Sequence, residues 1–307
     1  MAEYGLITFK LAVLAGAVFF IILWLFGRGG SRETDVSLEN STGWRSAACI
    51  FWFFLIFFFR KGLFNYVMVP GDILYQFYPW KAFAPSPMFH PHNPLLTDIV
   101  ESVFPWMNLW KDSVFSGEVP LWNMRAYCGS PFAANLVSAS FHPFRLLLFL
   151  MSSGDAATFF PFLRLFIAAM GMFLLLRSWR VSWHASLAGG FVFAFCGVNI
   201  VWLSNYPNIN VTMLVPWIFL ACDRIAKGKK LIWMIFFAVL SFVQFLGGHP
   251  ETSFHVYAAV VPFFFMAVVQ TKIKGCALKS CWIKKPCFLR RGPAWAFAFI
   301  LSIASLS

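Results

Sequence analysis

Two stretches, "LAVLAGAVFFIILWLF" (11–26) and "LIWMIFFAVLSFVQFLGG" (231–248), run almost without a polar side chain. An amphipathic element alternates apolar and polar positions so that one face can meet water, and these runs leave no such face. About twenty apolar residues cross a bilayer as a helix, because lipid offers no partner to backbone N–H and C=O groups. Composition agrees: 60% of the 307 residues are hydrophobic and 12% are charged, against roughly a quarter charged in a soluble domain. The sequence therefore predicts an all-α, polytopic transmembrane helix bundle of about eight spans. They are placed at 5–27, 46–66, 156–176, 184–203, 209–222, 231–248, 253–270 and 293–307. The stretch "FRLLLFLM" (144–151) is too short to span and reads as an interfacial or re-entrant helix.

The first run has no basic region before it and no small-residue cleavage site after it, so it reads as a retained helix rather than a signal peptide. The chain stops inside the apolar run "AWAFAFILSIASLS" without a helix-ending signal. The expectation is one membrane domain over 1–307, the N-terminal part of a longer protein, with a large loop region at 67–155.

Orientation follows from lysine and arginine. Loops 28–45, 177–183, 223–230 and 271–292 hold sixteen of the 24 basic residues, and the expected spans put all four loops on one side. Basic residues flank the cytoplasmic ends of membrane helices. The segment 67–155, the short loop "SNYPNIN" (204–210) and the turn "GGHPETS" (247–253) then face outward. The net charge of +12 is explained by those flanks, and its dispersal argues against a nucleic-acid partner. The abundant Trp and Phe read mostly as lipid contact and interfacial anchoring. Cys49, Cys196 and Cys222 read as packing residues, and the spacing of Cys276, Cys281 and Cys287 fits no usual zinc pattern.

The outer segment gathers Asp98, Glu101, Asp112 and Glu118, four of only twelve acids. It also repeats itself: "GDILYQFYPW" (71–80) and "TDIVESVFPW" (97–106) share an Asp-Ile pair and a later Pro-Trp. Proline stops a helix and tryptophan suits the interface, so each copy would put an Asp at a helix start, either as a cap or as a functional carboxylate. The turn-rich "GEVPLWNMRAYCGSPFAAN" (117–135) is a shaped loop. It is either a plug over the bundle or a binding surface in which Asn123 and Asn135 offer amides and Trp122 and Tyr127 offer stacking faces. In "GGHPET" (247–252), His249 and Glu251 either hold an anion or metal or cap the next helix.

The string "NPLLTDIVESVFPWMNLWKDSVFSGEVPLWNMRAYCGSPFAANLVSASFHPFRLLL" resembles the first large outer region of the bacterial YfhO-like membrane proteins. Those carry an Asp, then Pro-Trp or Pro-Phe, Gly-x-x-Pro-Leu-Trp-Asn, Gly-x-Pro, an Asn and a His/Tyr-Pro. "GGHPET" matches a further element, so the likeness covers about 70 to 255. This chain departs from the pattern in having two apolar runs before the acidic loop and in Arg125, where a proline often stands nearby. Members are also much longer. The resemblance implies a GT-C-like fold and a glycosyltransferase of the cell membrane. The donor would be a sugar on a polyprenyl phosphate, and the acceptor a cell-envelope glycan, lipid or protein.

By that likeness Asp98 is the first choice of base and Asp72 the second, each able instead to hold a divalent cation on the phosphate. Arg125, Arg145 and the intramembrane Arg164 are candidates to receive the phosphate. Trp122, Asn123, Asn135, His142, His249 and Glu251 would complete the substrate site. The competing expectation is a transporter, flippase or assembly factor for lipid-linked saccharides, which would place charges and broken helices near the bilayer midplane.

Overall fold

The structure, a computed structural model, describes residues 8–26, 41–86, 88–126, 128–228 and 231–279. The expected eighth span, Cys281, Cys287, Tyr127 and most of the basic loops 28–45 and 271–292 lie outside the described residues. The chain is mostly helical. Its main helices are α1 (Phe9–Phe26), α2 (Ser41–Phe58), α3 (Phe104–Phe115), α4 (Ser153–Ser178), α5 (Trp183–Ala194), α6 (Gly197–Val201), α7 (Tyr206–Thr212), α8 (Val215–Ala226), α9 (Leu231–Phe245) and α10 (Pro250–Lys279). A two-residue antiparallel ribbon pairs Trp122–Asn123 with Ser130–Pro131.

Among the described residues, three stretches are long and apolar enough to cross a membrane: α4, the α7–α8 pair over Tyr206–Ala226, and Pro250–Lys272 of α10. This corrects the expected GT-C-like bundle of about eight spans. The apolar runs at 5–27, 46–66 and 231–248 become shorter apolar helices over Phe9–Leu23, Gly43–Phe58 and Leu231–Phe245. The last has fifteen residues, about 22 Å of helix against a hydrocarbon core of about 30 Å.

The expected span 184–203 is broken. Cys196 is extended, α6 restarts beyond it, and Asn199 Nδ2 donates to the carbonyl of Phe193 near the end of α5, 2.9 Å away. The break between α7 and α8 follows from Pro216, which has no N–H to donate back to Thr212. "SNYPNIN" is not an outer loop either. It opens α7, every residue of which is buried.

The core helix is α4, which packs against α1, α2, α5 and α8. Ser152 caps it: its Oγ accepts the Asp155 N–H at 3.1 Å and donates to the Asp155 carboxylate at 2.8 Å. The other oxygen of that carboxylate accepts the N–H of Phe9, which ties the start of α1 to the start of α4. Small residues let neighbours approach. Gly190 lies against the Phe51 ring and the Ala169 carbonyl, and Gly171 lies under the Trp217 indole. Trp52 donates to Val13 O and Trp217 to Ile167 O, both between helices. These two tryptophans thus join helices rather than anchor the interface, while Trp80 and Trp122 stay exposed.

The bundle has two distinct ends. At one, Ser178 Oγ meets Asp223 Oδ2 at 3.5 Å and Trp183 Nε1 donates to Gly43 O, so the turns bearing Arg177, Arg180, Arg224 and Lys227 gather there. At the other lie the starts of α1 and α4, with Thr158 accepting the N–H of Met68.

A side chain at residue 190 would strike both a ring and a backbone carbonyl, whereas residue 197 has open space around it. Gly190→Leu should therefore cost about 1–3 kcal/mol by overpacking, and Gly197→Ala should be neutral. Thermal unfolding of the two variants in detergent, read against the parent chain, checks this.

Candidate functional site

Of the three candidate spans, α4 carries an arginine in its middle. Arg164 stands eleven residues beyond Ser153, 2% exposed, so it does not snorkel to the rim. Its Nε donates to Asn210 Oδ1 on α7 at 2.8 Å. The guanidinium carbon lies 5.5 Å from the ring centres of Phe144 and Phe160 and 5.6 Å from that of Tyr206, close enough for cation–π attraction. Asn210 in turn donates to Gly247 O at 3.1 Å, which pins the "GGHPET" turn over α7.

A second arginine approaches the same tyrosine. Arg145 sits in the short 3-10 helix Pro143–Phe149, 4% exposed, with its guanidinium carbon 5.0 Å from the Tyr206 ring centre. Its Nη2 donates to the Tyr206 hydroxyl and to Ser138 O, and the hydroxyl donates to the same carbonyl at 3.2 Å. Its Nη1 is buried and has no hydrogen-bond partner among the described residues. The expected re-entrant stretch 144–151 thus buries Arg145 and Leu148 while Leu146, Phe149 and Leu150 stay exposed.

His142 completes the group. It is 2% exposed, and its ring meets Phe144 edge to face at 5.0 Å. Nδ1 accepts the N–H of Phe144 at 3.3 Å, so the neutral ring carries its proton on Nε2. That Nε2 is buried without a hydrogen-bond partner among the described residues. Burial, then the positive charges of Arg164 and Arg145, push the His142 pKa down to about 3.

Among the described residues no carboxylate pairs with these cations. The ion pairs among the described residues are Asp72 with His92, Asp112 with Arg125 and Asp223 with Lys227. Nor does any group of three His, Cys, Asp or Glu among them gather to hold a metal. Arg164 and Tyr206 instead form the polar part of a narrow crevice whose other walls are mostly apolar, including Met68, Val69, Val103 and Met107.

The remaining expected site residues are dispersed around this centre. Asp98 is exposed and immediately precedes the π-helical turn Ile99–Val103, which contributes Ile99 and Val103 to the crevice wall. Among the described residues it takes no hydrogen bond and no ion pair, including none to the 247–252 turn. Asp72 opens the 3-10 helix Gly71–Gln76, but its carboxylate accepts the backbone N–H of His92 at 2.8 Å. In both copies of the echo the isoleucine is buried and the acid is not. Pro105 begins α3 rather than ending a helix.

Arg125 is exposed and paired with Asp112 at 2.8 Å. Trp122 is exposed, with its indole over Gly129. Asn123 is buried, and its Oδ1 accepts the N–H of Arg125. Asn135 is half-buried at the start of the 3-10 turn Leu136–Ser138. His249 caps α10: its Nδ1 accepts the Thr252 N–H and meets the Thr252 hydroxyl at 2.8 Å. Burial lowers its pKa, against the pull of Glu251. Glu251 is exposed.

Tyr206, Asn208 and Asn210 were missed as site residues. The available signal was two asparagines inside a run that continues as "VTMLVPWIFL", since amides in an apolar helix need partners. Gly248, at φ 99°, lets the turn close onto Leu136 O and Ala139, which brings 136–145, α7 and 247–252 together. The chain matches no protein-family model, no curated protein and no solved structure.

The histidine generates a pH prediction. Below its ordinary pKa of 6.5 the unfolded chain takes up a proton at residue 142 that the folded chain refuses until about 3. Its contribution to stability is therefore complete above pH 6.5 and is lost as pH falls through that window, amounting to about 2 kcal/mol by pH 5. Thermal unfolding at pH 7.5 and pH 5 should show this loss in the parent chain and a smaller one in His142→Gln, which cannot titrate.

Proposed function

We propose that the chain is an integral-membrane glycosyltransferase of the plasma membrane. It would take a sugar from a polyprenyl-phosphate donor and pass it to a cell-envelope acceptor on the extracytoplasmic side. The observation that carries this reading is the narrow crevice, with mostly apolar walls and the buried Arg164 guanidinium in its lining, and a solvent-facing Asp98 just before the helical turn that forms one wall. An apolar tail with an anionic head matches that order of surfaces. The quoted motifs that resemble YfhO-like proteins add the sugar and the envelope. Three candidate spans and the collection of basic turns at one end support a multi-pass arrangement with that end in the cytoplasm.

In this reaction an acceptor hydroxyl oxygen bonds to the anomeric carbon of the sugar as the bond from that carbon to the phosphate oxygen breaks. The phosphate leaves with the electron pair and the hydroxyl proton passes to the Asp98 carboxylate. Asp98 suits the role better than Asp72, whose carboxylate is already engaged by His92. The guanidinium of Arg164 would stabilise the charge that grows on the departing phosphate.

A second reading has its own support. An arginine buried midway along α4 and the discontinuous pairs α5–α6 and α7–α8 are features of transporters, where broken helices surround a buried site. Sugar transfer from a polyprenyl-phosphate donor separates the two. On the first reading, membranes holding the full chain transfer label, and Asp98→Asn lowers the rate at least 100-fold with expression unchanged. A rate that survives the substitution removes Asp98 as the base, and movement of the lipid-linked sugar across vesicles without transfer establishes the second. For sidedness, an impermeant thiol reagent outside intact cells should label the exposed Cys128; labelling only after lysis would reverse the orientation.

A further inference from the structure

We infer that Lys10, Arg60 and Lys61 form a basic collar at the outer ends of α1 and α2 that holds the phosphate of an anionic phospholipid, whose acyl chains lie along the exposed faces of the two helices. The leaflet rests on the orientation proposed above; the lipid contact does not.

The observation that calls for an explanation is one of sidedness. The end of the bundle opposite the basic turns at 177–180 and 224–227 should be poor in lysine and arginine. Yet α1 carries Lys10 in its first turn there, and the 3-10 helix Arg60–Phe64 that follows α2 brings two more cations, both exposed. Packing joins the two places. Gly62 is buried, and a Cβ on it would stand 2.7 Å from the Phe9 ring and 3.0 Å from Thr158 of α4. Lys10 follows Phe9 directly, so the turn and the start of α1 share one rim.

The turn has a defined shape. Asn65 is left-handed at φ 66°, its N–H donates to Gly62 O at 3.2 Å, and the N–H of Tyr66 donates to Lys61 O at 3.3 Å. The Arg60 guanidinium carbon lies 4.9 Å from the centre of the Phe57 ring, which holds the cation over the end of α2. None of the three cations has an ion pair among the described residues. Asp155, the acid at the start of α4, has its carboxylate engaged by the Phe9 N–H and the Ser152 hydroxyl.

Beside the cations the surface is apolar. On α2 the exposed large side chains Ile50, Phe53, Phe54, Phe57 and Phe58 all lie in the half next to the turn, while residues 44–49 are half-buried or buried. On α1 the exposed stripe runs from Leu11 to Ile22, and Lys10 shares a face with Leu14, one turn on. These stripes cover about 12 Å and about 16 Å of helix, against about 15 Å for half of the hydrocarbon core. Apolar surface one leaflet deep, closed at its outer edge by cations, matches acyl chains that end in a phosphate. Phe64 and Tyr66 are exposed beyond the cations, where interfacial aromatic side chains belong. A soluble partner could complement the cations but would leave the stripes beside them unmatched. A zwitterionic lipid would match the stripes but bring no net charge, whereas each cation near an anionic surface is worth about a five-fold gain in affinity.

The test uses the full chain reconstituted in phosphatidylcholine vesicles with traces of a photoactivatable phosphatidylglycerol or a photoactivatable phosphatidylcholine. Each probe carries its reactive group at the head of an acyl chain, and adducts on residues 57–66 are quantified by mass spectrometry. Phosphatidylglycerol is expected to label this stretch at least 5-fold more than phosphatidylcholine does. The combined change Lys10→Gln, Arg60→Gln and Lys61→Gln should bring that ratio to about one, and Arg60→Gln alone should lower it several-fold. Lys61→Arg, which keeps the charge, should preserve it. Lys227→Gln, which removes a cation at the opposite end, should leave it unchanged and so separates a local collar from attraction by the net charge.

Equal labelling by the two lipids in the unaltered chain would overturn the collar. So would a ratio that survives the triple change, or one that falls as far with Lys227→Gln as with Arg60→Gln. Labelling of 57–66 by neither lipid would assign the surface to a protein partner instead. The comparison of lipids on the unaltered chain needs no variant to fold. A ratio of one in a chain that transfers sugar removes the collar and leaves the glycosyltransferase; a 5-fold ratio in a chain that transfers none upholds the collar by itself.

Discussion

A guanidinium fixed in the middle of an apolar helix must find acceptors within reach of its own side chain, and much of the site is arranged around that requirement. Arg164 is too deep in α4 to reach water. Placing an arginine at the centre of a membrane helix costs about 2.5–3.5 kcal/mol even with relaxation. Aromatic rings on three sides recover part of this. Among the described residues it hydrogen-bonds to Asn210, which is buried too. The remaining amide of Asn210 is satisfied by Gly247 O, so the turn after α9 has to lie over α7. The glycine after it adopts a left-handed conformation and closes against Leu136 O. One buried charge thus links α4, α7, the 247–252 turn and the 136–145 loop, which are distant in sequence.

Stability alone would not select this arrangement. Apolar residues of similar volume commonly serve a core as well as a buried charge or better. The chain instead carries two buried arginines, leaves one buried guanidinium nitrogen of Arg145 and one buried imidazole nitrogen of His142 without partners among the described residues, and pairs neither arginine with an acid among them. Groups held at such a cost belong to the class of features retained for function rather than for folding. The polar contacts around Tyr206 fix Arg145 on one side, and the Asn210 bond fixes Arg164 on the other. Both guanidiniums are consequently held in place by contacts within the fold.

Helix positions were legible because hydropathy is a local property: α1, α2, α4, α8, α9 and α10 fall on the apolar runs that announce them. The number of spans was not, because crossing depends on where a run is interrupted. Asn199 Nδ2 caps Phe193 O at the break between α5 and α6, and the helices formed by the runs at 5–27, 46–66 and 231–248 are shorter than the runs themselves, and neither effect alters mean hydropathy much. Within the site, Arg145, Arg164 and His142 stood out as polar groups beside long apolar stretches. Asn210 did not, because asparagine before an apolar run reads as a turn residue. What buries it is Arg164, 46 positions away. Trp52 and Trp217 misled for a related reason: an indole suits the interface, but it also donates to a helix carbonyl wherever a glycine makes room.

The Asp-Ile echo shows how one sequence pattern can yield two different chemical opportunities. In each copy the isoleucine enters the core, at 0% exposure for Ile73 and 3% for Ile99, and this fixes the helical turn. The acid before it is left outside. Around Asp72 the chain folds back, and the His92 N–H occupies the carboxylate. Around Asp98 nothing folds back, and the turn continues into α3, which adds Met107 to the crevice wall. The two acids therefore differ in what they can still accept: Asp72 is engaged by a backbone N–H, whereas Asp98 faces solvent just before a turn whose Ile99 and Val103 line the crevice that Arg164 also lines.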